Sequence, residues 1–475
     1  MMKITFNNSR NLISKSYGLI VAAFFGAIAL FSCEDFVDID PPRTEVTSET
    51  VFTTDATVLS AISGIYSQMI TNRSFTNAEI EQYTGLASDE LLNFNTFSLD
   101  DGEFFTNNLN PDNGIVFGSF WEQAYNYIWN ANEILEQLEN ASSITDFTKN
   151  QISGEALFVR AFCHFYLVNL FGEIPIVTTT DFQRNKVLSR SSINLVYEQI
   201  ISDLLEAQSL MTDDFSFAND ERVRPNKGAA TALLARVYLY QEDWINAEAQ
   251  ATALINLSST YSLETDLNQV FTPNNTEAIW QLKPATPSGF VLQAQKFVLT
   301  SRPSEVSLAD DFYNAFETGD NRQSDWVGML MDDGDTFYYP FKYKFPDGNL
   351  VEYSTLFRLG EQYLIRAEAH ARQNKLASAI ADLDIIRHRA GLPLIAQTNP
   401  SISQIDLLDA ILKERRFELF VEWGHRWFDL RRFGQAGTVL SAIPLKDWQS
   451  TDILFPIPIS ELEVNPNLLP QNNGY

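Results

Sequence analysis

Apolar residues recur every three or four positions along much of this chain. Residues 54–69 carry such a stripe, and residues 121–135 carry another, which begins at Trp121. Residues at this spacing share one face of an α-helix. The stripe over residues 154–170 stops just before Gly172, which is a common helix terminator. The pattern therefore predicts a mainly α-helical protein.

Two later segments, residues 229–256 and 359–388, resemble one another. Equivalent residues are 132 positions apart, and they include Ala235 with Ala367 and Ala247 with Ala379. Small residues where two helices cross, with larger ones at fixed offsets, are typical of tetratricopeptide helix pairs. Together with residues 154–170, these segments predict three helix pairs separated by long insertions. The fold class is therefore a tetratricopeptide-like helix-pair scaffold with long, loop-rich inserts.

The two long inserts cover residues 72–119 and 272–349. Both combine aromatic residues with Asn, Asp, Gly or Pro, and the second includes Tyr338-Tyr339, which could also form a short β-strand. Loops of this length in a compact domain are usually functional. Binding residues also collect on loops that a rigid scaffold holds in place. The inserts are therefore the predicted binding face.

The N-terminus carries an export signal. An apolar run over residues 18–31 follows three basic residues, and it is too short to span a bilayer as a stable helix. Leu30-Phe31-Ser32-Cys33 resembles a lipobox, in which Cys33 receives the lipid; the alternative is a plain signal peptide with a chance cysteine. We predict a signal peptide over 1–32, a lipidated tether over 33–47, and parts 48–227 and 228–475 that form one compact unit.

The net charge of the chain disfavours one class of partner, nucleic acid. The chain has 61 acidic and 33 basic residues, which gives a net charge of −28. Nucleic acid is bound by neutralising its phosphates with Lys and Arg, so this balance disfavours it. Aromatic residues make up 13% of the chain, which leaves rings for a surface as well as for a core.

The segment 414–432 is the most charged part of the C-terminal third. Its charges alternate with large apolar residues, and three pairs have helical spacing: Glu422 with Arg426, Arg415 with Glu418, and Asp429 with Arg432. Such spacing favours a structural ion-pair network at the border of a core over a catalytic group.

No other motif indicates catalysis or a cofactor. None of the four histidines belongs to a His-Glu-x-x-His or similar metal-binding set. The run from Asp332 to Asp335 could hold a structural calcium ion, but it lacks the alternating spacing and terminal Glu of an EF-hand loop, which favours an exposed turn. We predict no metal, no cofactor and no enzymatic activity. A glycosidase, with its pair of carboxylates, is the remote alternative.

Several motifs, in this order along the chain, are similar to one known family. They are Ala87-Ser88-Asp89-Glu90-Leu91, Trp121-x3-Tyr125-x2-Ile128-x3-Asn132, Arg160-Ala161, Glu361-x4-Arg366-Ala367-Glu368-Ala369, Glu414-Arg415-Arg416-Phe417-Glu418, Phe455-Pro456-Ile457-Pro458 and Gln471-Asn472-Asn473-Gly474-Tyr475. Together they resemble the SusD/RagB family, the surface nutrient-binding lipoproteins of Bacteroidetes. The resemblance covers nearly the whole chain after Cys33.

The resemblance implies a function as well as a fold. Members do not catalyse; they capture a glycan and deliver it to a SusC-like, TonB-dependent transporter. The protein would be lipid-anchored in the outer membrane and would face the cell exterior. Peptide capture on the same fold, as in some branches of the family, is an alternative that the sequence does not separate. A purely structural helical adaptor is a third, but it would not need two aromatic inserts of this size.

The candidate ligand-binding residues come from the inserts, because sugar capture needs exposed rings and planar polar groups. Each ring could instead belong to the core, and Asp89 could cap or brace a helix. The candidates are Arg73, Phe75, Asp89, Phe94, Asn95 and Phe97 in the first insert, and Trp280, Trp326, Tyr338 and Tyr339 in the second.

Overall fold

The computed structural model describes residues 52–71, 73–285, 289–347 and 350–475. The predicted signal peptide, the tether with Cys33, and residues 48–51 lie outside the described residues. Residues Phe52–Tyr475 form one compact unit. The division predicted between residues 227 and 228 falls at the start of a helix inside this unit. Within the described part, no helix is long and apolar enough to cross a membrane.

Helices dominate the described part, as the sequence predicts. The α-helices are α1 (Asp55–Thr71), α2 (Ile80–Ala87), α3 (Leu99–Thr106), α4 (Gln123–Asn140), α5 (Asp146–Phe171), α6 (Phe182–Asn185), α7 (Ile193–Leu210), α8 (Lys227–Tyr240), α9 (Trp244–Ile255), α10 (Leu292–Phe297), α11 (Asp310–Asn314), α12 (Asn321–Trp326), α13 (Leu359–Arg372), α14 (Leu376–Arg389), α15 (Ile395–Thr398), α16 (Gln404–Glu418), α17 (His425–Arg432), α18 (Ala436–Leu440) and α19 (Ile459–Val464). Short π-helical turns, Phe75–Glu79 and Val116–Glu122, precede α2 and α4.

The longer helices pack into a continuous array. Helix α5 packs against both α4 and α7, α7 packs against α8, and α9 packs against α13, which also contacts α14 and α16. Short connections join α4 to α5, α8 to α9 and α13 to α14. Such connections favour antiparallel neighbours. The predicted helix-pair scaffold is confirmed.

The two predicted repeats are equivalent in detail. Helices α8 and α13 begin and end 132 positions apart. The turns that follow place Glu242 and Asn374 in the left-handed region, with φ of 57° and 60°. In the first turn the Asp243 amide donates to the Tyr238 carbonyl over 2.9 Å. In the second the Lys375 amide donates to the His370 carbonyl, also over 2.9 Å. The sequence repeat therefore specifies the same turn twice.

The strands form two small antiparallel sheets. One sheet has the order β1-β3-β5-β4 and the other pairs β2 with β6. The strands are β1 (Leu91–Asn93), β2 (Ala278–Leu282), β3 (Val306–Leu308), β4 (Val327–Asp332), β5 (Asp335–Pro340) and β6 (Ser354–Arg358). The predicted strand at Tyr338-Tyr339 is confirmed in β5. The β4–β5 hairpin turns at Asp333-Gly334, where both residues have positive φ, as an Asp-Gly hairpin turn requires.

The chain end closes against the middle of the protein. The side chain of Gln471 accepts from the Ile457 amide at 2.8 Å and donates to the Ile457 carbonyl at 2.7 Å. Asn472 Nδ2 donates to the carbonyls of Phe171 and Phe455 at 2.8 and 2.7 Å. These bonds satisfy buried backbone groups that would otherwise lack partners. The side chains of the Gln-Asn motif therefore connect the end of α5 to the Phe455-Pro456-Ile457-Pro458 segment by hydrogen bonds.

Candidate ligand-binding cleft

An open, mostly polar cleft of about 780 Å³ lies between the two inserts. We call it the main cleft. One wall consists of the end of α1, the π turn Phe75–Glu79 and α2. The segment 95–101 and residues from 284–285 and 289–305 complete the cleft. Its polar lining side chains include Arg73, Asn77, Glu79, Gln82, Tyr83, Asn95, Asp101, Gln295, Lys296 and Glu305.

A hydrogen-bond chain orients two of the predicted ligand residues, Arg73 and Asn95. Arg73 Nη2 donates to the Tyr83 hydroxyl over 3.3 Å, and that hydroxyl donates to Asp101 Oδ1 over 3.1 Å. Asn95 Nδ2 donates to Asp101 Oδ2 over 2.9 Å. Tyr83 and Asp101 are buried beneath the surface, whereas the Arg73 side chain is 66% exposed. The buried pair therefore holds Arg73 and Asn95 in place at the cleft.

One ion pair and one hydrogen bond join the two walls of the cleft. Lys296 Nζ, from α10, lies 3.3 Å from Glu79 Oε1 and donates to Gln82 Oε1 over 2.5 Å. The same Glu79 lies 3.6 Å from Arg73 Nε. The π turn that carries Glu79 includes Ala78 with φ of 66°, a left-handed conformation that costs free energy in a residue other than glycine. The strained turn thus brings Glu79 between two cations.

Protonation in the cleft follows from burial and charge. Burial raises the pKa of Tyr83 well above its usual range, and the neighbouring Glu79 and Asp101 raise it further. The Tyr83 hydroxyl therefore stays a donor. Burial alone would lower the pKa of Arg73, but Glu79 and Tyr83 outweigh it and raise the pKa. Behind the wall, burial raises the pKa of Glu81 to about 8, and Gln293 Nε2 donates to its Oε1 over 3.1 Å.

Apolar groups complete the cleft on the side of the second insert. Phe290, 38% exposed, lines it together with Pro284 and Leu292. Phe97 follows Asn95 closely along the chain, and its side chain is 99% exposed. A cleft with planar polar groups and flanking rings can bond hydroxyl groups and cover an apolar face.

Three predicted ligand residues are buried in the core, and those assignments are wrong. Phe75, Trp280 and Trp326 are at most 1% exposed, so a ligand cannot reach their rings. Trp280 lies parallel to Phe357 at a centroid distance of 6.3 Å. Trp326 Nε1 donates to the Leu267 carbonyl over 3.0 Å. Large rings bury more apolar area than other side chains, which is why the core takes them.

The Asp89 carboxylate is held by two arginines. Its oxygens accept from Arg426 Nε at 2.6 Å, Arg426 Nη2 at 2.8 Å and Arg416 Nη2 at 2.8 Å. Burial alone would raise the pKa of Asp89, but these two arginines outweigh it and lower the pKa. Because the carboxylate is committed to this contact, the ligand-binding assignment is wrong. Asp89 instead braces α16 and α17.

The remaining candidate rings lie outside the main cleft. Phe94 is half-buried against the edge of Phe337, at a centroid distance of 5.7 Å. Tyr338 lies parallel to Tyr313, with centroids 3.6 Å apart. The ring of Tyr339 covers Gly328, where an added Cβ would come within 2.2 Å of it. These three rings therefore pack against residues in or beside the four-stranded sheet.

The sequence analysis missed the contributions of α10 and its flanking loop to the cleft. Phe290, Gln295, Lys296 and Glu305 lie in the second insert, but none stands out by residue type. The Pro and Gly residues around Phe290 were the available signal, because such residues in a sequence are typical of loops.

The charged segment 414–432 contributes to a sealed cluster away from the cleft, which we call the buried ion cluster. Arg358 is its centre and donates to Glu422, Glu277 and Glu418, at 2.8 Å for Nε to Glu422 Oε2. The other members are Asp320, Arg322, Lys342, Arg389 and Glu414. The predicted structural role is confirmed.

Two of the three local pairs predicted in that segment are wrong. Glu422 pairs with Arg358 and Lys342, and Arg415 pairs with Asp429 at 2.7 Å. Helix α16 ends at Glu418 and α17 begins at His425, so Glu422 lies in the intervening turn and helical spacing to Arg426 does not hold. Arg415 and Glu418 both lie in α16, but Glu418 pairs with Arg358 instead. The pair within α17, Asp429 with Arg432, is confirmed at 2.7 Å.

His164 and His370 make structural contacts. Burial lowers the pKa of His164 to about 4, and its Nε2 accepts from the Val177 amide at 3.3 Å. His370 Nδ1 lies 3.1 Å from Asp382. Among the described residues, no group of three or more His, Cys, Asp or Glu side chains is arranged to hold a metal ion.

Comparison with known proteins identifies related sequences along most of the chain. A family model described as "Starch-binding associating with outer membrane" matches residues 35–239, and the model of the SusD family matches residues 329–475. A SusD-like protein of Formosa agariphila is 26% identical over 96% of this chain and 99% of its own length. Starch-binding protein SusD of Bacteroides thetaiotaomicron is 25% identical over 71% of this chain and 75% of its own.

Solved structures share the fold. A SusD superfamily protein from Bacteroides vulgatus has a TM-score of 0.78 at 22% identity, covering 89% of this chain and 99% of that one. A laminarin-binding SusD-like protein has a TM-score of 0.73 at 24% identity, covering 88% and 99%. The two family models, which match residues 35–239 and 329–475, show that this chain belongs to the SusD/RagB family.

Proposed function

We propose that this protein captures a glycan in the main cleft and passes it, unchanged, to a SusC-like, TonB-dependent transporter. The observation that carries this proposal is the open cleft in which the buried Tyr83–Asp101 pair orients Arg73 and Asn95. Phe290 and Phe97 add exposed rings at or beside the cleft. Pre-oriented polar groups need little ordering when a ligand binds, which favours affinity.

The relatives support a carbohydrate ligand. One relative is named a starch-binding protein, and one structural neighbour is named laminarin-binding. Neither name specifies the ligand of this chain, because the identities are 25% and 24%.

Isothermal titration calorimetry tests glycan capture. The soluble form, residues 34–475, contains the whole compact unit. It is titrated with neutral and charged polysaccharides and with casein-derived peptides. We expect saturable heat with a polysaccharide that is recovered intact after long incubation. Binding to peptides alone would establish the peptide-capture alternative, and ligand breakdown would establish an enzyme.

Arg73→Met is the first variant to test. We expect it to weaken polysaccharide binding at least tenfold, about 1.4 kcal/mol, because it removes an exposed donor from the cleft. The control is Arg184→Met, which removes an exposed arginine outside the cleft. Equal affinities of the two variants would exclude the main cleft as the binding site.

Attachment to the outer membrane is part of the proposal. The lipobox-like Leu30-Phe31-Ser32-Cys33 and the acidic residues that follow it support a lipid anchor on the exterior face. The description of the matched family model also names the outer membrane. We expect Cys33→Ala to release the protein from membranes during fractionation. A variant that stays in the membrane fraction would contradict the anchor.

Delivery requires contact with the transporter. The continuous helix array offers one rigid wall for that contact, which the family resemblance assigns to this role. We expect the transporter to co-purify with the anchored protein in mild detergent. Purification without a TonB-dependent transporter would contradict delivery while leaving glycan capture intact.

A further inference from the structure

The main cleft continues into a second concavity. This side pocket, about 520 Å³, is formed by α10 and the loop that leads to β3. It shares Leu292, Gln295, Lys296 and Glu305 with the main cleft. Because the two spaces have these side chains in common, they form one groove along α10.

The side pocket is polar, and none of the described residues that line it is aromatic. Its side chains include Thr300, Ser301 and Ser304, which are exposed and carry hydroxyl groups. A hydroxyl can both donate and accept a hydrogen bond, so these side chains suit a ligand that carries both donors and acceptors. A chain bound in the main cleft would find further partners here.

A carboxylate lies beside every lysine and arginine that lines the described part of this groove. Glu79 lies within 3.6 Å of Arg73 and 3.3 Å of Lys296. At the far end, Arg302 Nη2 contacts Asp335 at 2.7 Å, and its Nη1 lies 3.6 Å from Asp332. No cationic side chain in the described groove is therefore left without a negative neighbour.

The acidic side chains that line the groove equal the basic ones in number, three of each, and Asp332 and Asp335 beside Arg302 make the local balance negative. Asp101 and Glu305 line the groove in addition to Glu79, and the whole chain carries a net charge of −28. A sulfated or carboxylated polymer would approach against this field and would have to displace carboxylates from their cations. A neutral chain is not repelled by this field and does not have to displace the carboxylates. Repulsion between like charges is a common means of rejecting a wrong ligand.

We propose that the joined groove binds a neutral glycan chain, long enough to extend from the main cleft into the side pocket, and rejects polyanionic glycans. The proposal rests on the proposed function. It adds the charge class of the ligand and the direction in which the ligand lies.

The charge class is tested by calorimetry on residues 34–475. The neutral panel is laminarin, maltodextrin, xylan, galactomannan and inulin. The charged panel is sulfated laminarin, alginate, polygalacturonate and carrageenan. We expect a neutral polymer to bind at least tenfold more tightly than any charged one. Tighter binding of a charged polymer would overturn this inference but leave glycan capture standing. No binding to any polysaccharide would overturn both.

The direction of the ligand is tested with Ser304→Trp, which places a large ring at a residue that lines the side pocket but not the main cleft. Short and long oligosaccharides of the polymer that binds are titrated against it. We expect about a tenfold loss of affinity for the long chains and no loss for the short ones. The control, Ser143→Trp, places the same ring at an exposed serine between α4 and α5. Equal losses for both lengths, or no loss for either, would overturn the extended path.

Discussion

Two regions of this protein place an arginine beside glutamate, and they differ in access to solvent. In the buried ion cluster, the Arg358 side chain is 2% exposed and contacts three glutamates. In the main cleft, the Arg73 side chain is 66% exposed and contacts one glutamate and one tyrosine. Arg358 has its hydrogen bonds satisfied within the protein, whereas Arg73 retains capacity to bond a ligand.

The difference shows how burial separates a structural charge from a binding one. Removing a charge from water is costly unless several partners replace the lost hydration. The cluster meets this requirement, and even Gly360 serves it, because an added Cβ would lie 2.6 Å from Arg358 Nη1 and 2.9 Å from Glu277 Oε1. In the main cleft, solvent or a ligand supplies the hydrogen bonds that the protein does not make to Arg73.

The same substitution in both regions gives the largest predicted contrast. Arg358→Met leaves Glu277, Glu418 and Glu422 without a central cation. We expect it to lower the free energy of unfolding by about 3–5 kcal/mol, because removing one partner of a buried ion pair leaves uncompensated charge. Arg73→Met should change stability by less than about 0.5 kcal/mol, as exposed ion pairs contribute little. Denaturant unfolding measures both.

Equal stabilities of the two variants would contradict the structural role of the cluster. The binding measurement completes the contrast, because Arg73→Met should weaken polysaccharide binding. Arg358→Met, where it remains folded, should bind normally.

A smaller predicted effect concerns Glu81, a buried carboxyl without a cationic partner. Its pKa is raised by burial to about 8 in the folded protein, whereas the unfolded value is near 4.5. Between these values the unfolded chain ionises and the folded protein stays protonated, so this group lowers stability as pH rises from 4.5 to 8. We expect Glu81→Gln to remove that slope. Relative to wild type, the variant should gain on the order of 3 kcal/mol between pH 5 and pH 8.

Denaturant unfolding across this pH range measures the gain, and Glu139→Gln, at an exposed glutamate, is the control. The comparison between two pH values cancels any constant cost of placing an amide in the site. A pH profile parallel to wild type would show that Glu81 is ionised in the folded protein. Glu81 would then resemble the charges of the ion cluster.

Much of the fold could be predicted because the apolar spacing of a helix is visible within a short stretch of sequence. The 132-position repeat predicted α8, α9, α13 and α14, and the structure gives both pairs the same turn. The structural role of segment 414–432 also followed from its interleaved apolar residues. Its individual partners did not, because Arg358 lies about 60 positions from Glu418 and Glu422 in the chain.

The candidate site was harder to predict for a physical reason. Arg73 and Asn95 lie in the main cleft, but Phe75, Trp280 and Trp326 are in the core. A ring in a loop-rich insert has the same local sequence signal whether it faces solvent or the interior. Only the packing of distant elements decides which face it takes. Residues 289–305 reach the cleft through such packing.

The sequence by itself determined the helical scaffold, the family motifs and the acidic balance, because these depend on composition and on spacing along the chain. The tertiary structure decided which charges are sealed and which are open. It joined Arg73 to Asn95 through Tyr83 and Asp101, and it paired the groove's cations with carboxylates. Those properties depend on solvent access and on contacts between residues far apart in the chain, which no local pattern encodes.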